Sequence, residues 1–138
     1  MASEIRSFQV STGGDTDIID ITAQVAEIVL SSPFDEGTAT VFVPGSTAGI
    51  TTIEFESGAV ADLKAAFERL APQNIEYAHN ARWGDGNGHS HVRAAVAGAS
   101  FSAPFAESRM LLGTWQQIVL VDFDNRPRTR EIVVQTTG

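Results

Sequence analysis

Three histidines are all that the chain contains, and they fall within thirteen residues: His79, His89 and His91, in the run His79-Asn80-Ala81-Arg82-Trp83-Gly84-Asp85-Gly86-Asn87-Gly88-His89-Ser90-His91. Neutral imidazole is a good ligand for zinc and related ions, and a carboxylate such as Asp85 or Glu54 would complete a nitrogen and oxygen site. The same groups can move protons near neutral pH. Backbone conformation decides how many of them act together. If residues 89–91 are extended, His89 and His91 project from one face, whereas in a helix they diverge by about 200°. Asp85 and Asn87 are natural helix caps, so a helix from about Gly88 is expected, with one of the two rings joining His79 and the other serving elsewhere.

Other candidates lie outside that run. Gly45-Ser46-Thr47-Ala48-Gly49 is a small-residue turn whose hydroxyls and N–H groups suit an anion, although it has no P-loop lysine, and Ser46 has no G-x-S-x-G setting as a nucleophile. Glu54 follows Thr52 on the less apolar face of a strand and is a candidate base or metal ligand. Arg82, Arg93, Arg126 and Arg128 offer forked donors to phosphate. Each has a bland alternative: isolated hydrogen-bonding histidines in a loop, a plain turn, a solvated carboxylate and surface arginines.

These residues need elements to hold them. Ile5 to Val10 and Ile18 to Ile21 read as an opening hairpin around Gly13-Gly14, followed by a helix from Ala23 to Leu30 with Thr22 as its cap and Pro33 as its stop. Strands Thr38 to Val43 and Thr51 to Glu56 flank the Pro44 to Gly49 turn. Ser57 caps a helix whose apolar face is Val60, Leu63, Phe67 and Leu70. The longest strand is expected from Met110 to Phe123, paired through Asp124-Asn125-Arg126-Pro127 with Thr129 to Gln135. Both of its faces look covered, so Thr114 and Gln116 should meet a ligand, water or another subunit, since a polar group buried unpaired costs about 1 to 3 kcal/mol. The pattern predicts an α+β single domain, a mostly antiparallel β-sandwich with two to three helices.

Composition excludes several classes of function. At 138 residues, with 43% apolar and 19% charged, the chain is long enough for one core. A net charge of −8 with nine basic residues disfavours nucleic acid as a partner. Cysteine is absent, which removes disulfides, thiolate metal sites and cysteine nucleophiles. No run is long enough to span a membrane, and Glu4 and Arg6 stand where a signal peptide would be apolar, so a cytoplasmic location is expected.

Three segments resemble the YjbQ family: Val41-Phe42-Val43-Pro44-Gly45-Ser46-Thr47-Ala48-Gly49-Ile50-Thr51-Thr52-Ile53-Glu54, Asp85-Gly86-Asn87-Gly88-His89-Ser90-His91 and Leu112-Gly113-Thr114-Trp115-Gln116-Gln117-Ile118, in family order. The resemblance implies a β-sandwich fold, assembly as a homotrimer, and a weak thiamine-phosphate synthase activity that joins a pyrimidine diphosphate to a thiazole phosphate. It points to His79, His89, His91, Asp85, Asn87, Glu54, Thr114 and Gln116 as pocket or metal-site residues. Two departures stand out: Gly45, where many relatives carry histidine, and Glu107-Ser108-Arg109, where a glycine turn is more usual.

The function expected from residues and resemblance together is a transferase. His79, Glu54 and His91 would be catalytic, Ser46, Thr47, Arg82, Asn87, Arg93, Thr114 and Gln116 would hold a small phosphorylated molecule, and His79, His89, His91 and Asp85 would bind a divalent metal, Mg or Zn, at an intersubunit site. The alternatives are a metal- or phospholigand-binding trimer without turnover and a metal-dependent hydrolase.

Overall fold

A computed structural model describes residues 1–138. It contains two antiparallel sheets in a face-to-face arrangement, and two of its four helices cover the outer face of the smaller one. The larger sheet has the order β1-β8-β3-β5-β6, from β1 (Ser3–Thr12), β3 (Gly37–Phe42), β5 (Ser100–Ala106), β6 (Arg109–Met110) and β8 (Arg128–Thr137). The smaller has the order β2-β7-β4, from β2 (Asp17–Asp20), β4 (Ala48–Ile53) and β7 (Gln117–Asp122). The helices are α1 (Thr22–Leu30), α2 (Ser57–Leu70), α3 (Ala78–Trp83) and α4 (Gly88–Ala97). The expected α+β sandwich is therefore present, with four helices rather than two to three.

Alternation along β7 produces two cores. Ile118 and Leu120 face the larger sheet and join a cluster of 13 buried residues that includes Val25 and Val29 of α1 and Ile132 and Val134 of β8. Val119, Val121 and Phe123 face the other way, onto Phe67 of α2 and Ala94 of α4. The strand is thus covered on both faces within one chain, as a central strand between a sheet and a helical layer should be.

Strand pairing differs from the expected hairpins. β7 pairs with β2 and β4, while β8 pairs with β1 and β3, so the segment after Asp122 crosses between sheets instead of turning a hairpin. β1 and β2 are separated in the same way. The cause is burial demand: β7 is apolar on both faces, whereas β8 alternates buried Ile132 and Val134 with exposed Glu131 and Gln135, which suits an outer sheet.

The run from Met110 to Phe123 is also not one strand. It breaks at a turn in which Gln116 N–H donates to Gly113 O at 3.1 Å and Gly113 N–H donates to Gln116 Oε1 at 3.0 Å. Trp115 is 73% exposed there, and Leu111 is exposed beside it. Caps shift too. Glu56, not Ser57, accepts the Gly58 and Ala59 N–H groups at the start of α2, and Asp20 accepts from Thr22 N–H before α1. The Glu107-Ser108 turn closes the β5–β6 hairpin without glycine, both residues being left-handed at φ 52° and 59°.

Candidate active site: an imidazole pair facing an arginine-bearing strand

His79 lies on α3, a six-residue helix in a stretch that reads as loop from composition. Gly84 ends it in the left-handed conformation at φ 72°, its N–H donating to Asn80 O. Asn80 Oδ1 then accepts Gly88 N–H at 2.8 Å, so a side chain of one helix caps the next; Asp85 and Asn87 make no such cap. A Cβ on Gly88 would sit 2.5 Å from the Tyr77 Cβ, which explains glycine at this junction.

Because α4 begins at Gly88, His89 and His91 diverge as the helical period requires. The His91 ring meets His79, with centroids 4.3 Å apart. His79 Nδ1 is buried and makes no aligned hydrogen bond, although Asp85 Oδ1 lies 3.3 Å away. His89 points to the opposite side, buried beside Gln73 Nε2 at 3.3 Å, and desolvation, with help from the Arg93 charge, holds its pKa below the ordinary value.

The imidazole pair forms one wall of a cavity of about 820 Å³ whose floor and opposite wall come from Gly45 to Thr47 and from residues 124–130. Arg126, Arg128 and Arg130 all line it. Arg130 is buried and bidentate to Asp122, Nε to Oδ2 at 2.8 Å and Nη2 to Oδ1 at 2.9 Å, and Nη2 also donates to Thr47 Oγ1 at 2.7 Å. Arg128 Nη1 donates to Asp124 Oδ2 at 2.6 Å. Thr47 and Asn87 donate to the same Asp124, tying the turn after β3, the start of α4 and the crossover into one network. Asn125 Nδ2 adds a bond to Asp85 O at 2.9 Å.

Both carboxylates have lowered pKa values. Burial by itself would raise the Asp122 pKa, but the Arg130 guanidinium, the Thr12 hydroxyl and the Asp124 N–H outweigh it and hold it below the usual range. Asp124 is likewise pulled down against burial by Asn125 N–H, Asn87, Thr47 and Arg128. The pairing with Asp122 raises the pKa of Arg130 in turn.

The structure gathers His79, His91, Asp85, Asn87, Ser46 and Thr47 in this cavity. Other candidates lie elsewhere. His89 faces away from it. Arg93 is buried, with Nε on Ala71 O, Nη1 on Thr16 Oγ1 and Nη2 on Glu68, so its donors are taken up inside the fold. Arg82 is exposed outside the cavity, 5.3 Å from the Trp83 ring centroid. Glu54 is exposed just past the far end of β4, roughly 20 Å from Thr47 at about 3.3 Å per residue. Thr114 and Gln116 occupy the turn at that far end, where Gln116 Nε2 donates to Thr52 Oγ1 at 3.3 Å.

Sequence reasoning missed Arg130, Asp122 and Asp124; of the four arginines it named for phosphate, Arg126 and Arg128 line the cavity. A signal was present in the two-residue period of Arg128-Thr129-Arg130-Glu131-Ile132-Val133-Val134, which places two arginines on the inward face of β8 in line with core residues. As arranged here, no three His, Asp or Glu side chains converge closely enough to hold a metal ion.

Comparison with known proteins agrees with this architecture. The family model described as UPF0047 protein YjbQ-like matches residues 6–138. A UPF0047 protein of Methanothermobacter thermautotrophicus is 37% identical over 127 residues, covering 92% of this chain and 87% of that protein. The UPF0047 protein YugU of Bacillus subtilis is 31% identical over 135 residues, covering 97% and 99%. Among solved structures, a YbjQ-like protein of unknown function from Sulfolobus solfataricus superposes with a TM-score of 0.94 at 33% identity, covering 99% of this chain and 98% of that one. A YjbQ/UPF0047 protein of Clostridium acetobutylicum gives 0.87 at 31% identity, covering 96% and 99%. With the family model spanning nearly the whole chain and relatives above 30% identity along most of their length, the chain belongs to the YjbQ/UPF0047 family.

Proposed function

We propose that the cavity binds a small phosphorylated molecule and promotes group transfer on it, as in the thiamine-phosphate synthase reaction that the family resemblance suggests. The observation that carries this reading is the facing of an imidazole pair, His79 and His91, by arginines on β8 and in the loop before it, in a chain whose net charge is −8. Three of nine basic residues line one cavity, and forked guanidinium donors match phosphate oxygens. In the synthase reaction a carbon–oxygen bond of the pyrimidine diphosphate breaks, diphosphate leaves with the electron pair, and the thiazole nitrogen forms the new carbon–nitrogen bond. The arginines would stabilise the departing charge, and His91 or His79 would donate a hydrogen bond or proton to its oxygen. Purified protein should form thiamine phosphate from the two precursors, with the rate collapsing in His79→Ala and His91→Ala. Unchanged rates in both variants would remove the pair from the mechanism.

A second reading, a divalent metal at the same wall, is favoured by the buried, unpartnered Nδ1 of His79 beside His91 and Asp85. Two imidazoles and one carboxylate suit zinc better than magnesium, and the ion would supply Lewis-acid stabilisation of phosphate charge. Asp85 is half-exposed, and completing the set would require it to turn inward. Elemental analysis combined with thermal shift on chelation tests this: retained metal and a chelator-lowered Tm support it, and neither effect argues against it.

The homotrimer rests on the resemblance, and exposed apolar side chains such as Ile5, Phe42 and Trp115 are compatible with an interface. Sedimentation equilibrium is the measurement. No helix is long and apolar enough to cross a membrane.

A further inference from the structure

Arg130 is held along only one edge of its guanidinium. Nε and Nη2 are fixed by Asp122 and Thr47, while Nη1 makes no hydrogen bond within the chain although the side chain is only 5% exposed. That free nitrogen faces Gly45: a Cβ built at residue 45 would lie 3.1 Å from it. Gly45 has φ 147°, a backbone conformation that disfavours side chains, and it opens onto the cavity with the adjacent Ser46, whose hydroxyl has no partner in the chain. Arg128 is one-third exposed and commits one nitrogen to Asp124, leaving the rest of its fork free on the same side.

The Nη1 donor is unengaged and open to the cavity, so an anion entering there can supply its acceptor. The carboxylates around it do not, because Asp122 and Asp124 are already engaged by Arg130, Arg128, Thr12, Thr47 and Asn87. Arg126, Arg128 and Arg130 are matched in formal charge by Asp85, Asp122 and Asp124, so an anion here is recognised by unengaged guanidinium donors rather than by a surplus of positive charge.

We propose that the Gly45–Arg130 corner is an oxyanion subsite that takes the terminal phosphoryl group of the ligand, with one oxygen on Arg130 Nη1 and others on Arg128 and the Ser46 hydroxyl, and that glycine at 45 keeps it open. The assignment deepens the functional reading above and rests on it for the class of ligand. The rest of the ligand then extends toward His79 and His91, with the phosphoryl group as anchor.

Inorganic phosphate is the probe, followed by calorimetry and by nitrogen-15 spectra of the arginine side chains in the intact protein. Phosphate should bind, shift the Arg130 Nη resonances and leave those of Arg93 unmoved, since Arg93 lies outside the cavity with each of its three nitrogens engaged. Gly45→Ala should weaken binding about tenfold or more by crowding Nη1, and Arg109→Gln, exposed on the β5–β6 hairpin, should leave it unchanged. The spectra do not depend on the variants folding. Absent binding, a shift confined to Arg126, or undiminished affinity in folded Gly45→Ala overturns the subsite. The two proposals fail separately: phosphate on Arg130 without thiamine phosphate formation leaves the subsite and removes the synthase reading, and histidine-dependent synthesis without a phosphate effect at Arg130 does the reverse.

Discussion

Arg93 and Arg130 are equally buried and both are paired to acidic side chains, yet one serves the fold alone and the other faces a cavity. Arg93 reaches a helix-terminal carbonyl, a threonine in the β1–β2 turn and Glu68, so that each of its three nitrogens is engaged inside the fold. Arg130 satisfies a buried aspartate with one edge and leaves the other bare. Burial and ion pairing therefore do not distinguish a structural arginine from a binding one. Whether a whole nitrogen is left unengaged at a cavity does.

The largest effect that would test this contrast is Asp122→Asn. It leaves the Arg130 cation buried without its countercharge and should cost about 3 to 5 kcal/mol in urea unfolding. Replacing the pair by Asp122→Leu with Arg130→Met should recover most of that loss, because an apolar replacement of a buried pair is often neutral, while phosphate binding is lost. If the double variant still binds phosphate, Arg130 is not the ligand group.

Arg93→Met should follow at about 1 to 3 kcal/mol, since it orphans Ala71 O and Thr16 Oγ1. Thr16 is a β-branched residue held at φ 61°, so the β1–β2 turn should loosen first, seen as faster amide exchange there with little change in phosphate affinity. A smaller effect concerns pH. The pKa of His89 is lowered in the folded chain, so the unfolded chain binds more protons below the ordinary value of 6.5 and stability falls as pH drops through that region toward the folded pKa. His89→Gln should flatten that part of the stability profile. Asp122 contributes in the same direction further into acid: its depressed pKa stabilises the fold above the ordinary carboxylate value and the contribution is lost as pH falls through the folded one.

Sequence legibility followed the range of the forces involved. The divergence of His89 from His91 was readable because it needs only a helix from Gly88 and a period of about 100° per residue. The two-faced burial of Val119, Val121 and Phe123 against Ile118 and Leu120 was readable for the same local reason. What that burial implied was not: the second face is covered by α2 and α4 of the same chain, a long-range fact. The Met110 to Phe123 run broke because Gln116 folds back onto Gly113, a local bond that apolar spacing conceals. Glu54 looked eligible because alternation identifies a face of a strand but not which end of it meets a cavity. Arg130 escaped because it occupies a core position on β8, where an arginine reads as a surface residue until its aspartate, eight residues away in sequence, is seen in space.

The division of neighbouring strands between sheets has a consequence for assembly in time. β8 lies between β1 and β3, with Ser3 registered on Thr137 and Thr40 on Gln135, so the larger sheet cannot close until the strand that follows all the others has been made. Contacts this distant along the chain belong to topologies that fold in milliseconds to seconds rather than microseconds. Asp122, Asp124 and the arginines of the cavity sit on or just before that last strand, while Gly45 and His79 wait well upstream. A nascent chain therefore carries its imidazole wall early and acquires its cationic wall only as the sandwich locks, so the cavity and the folded state should appear together, and a binding-competent intermediate should not accumulate.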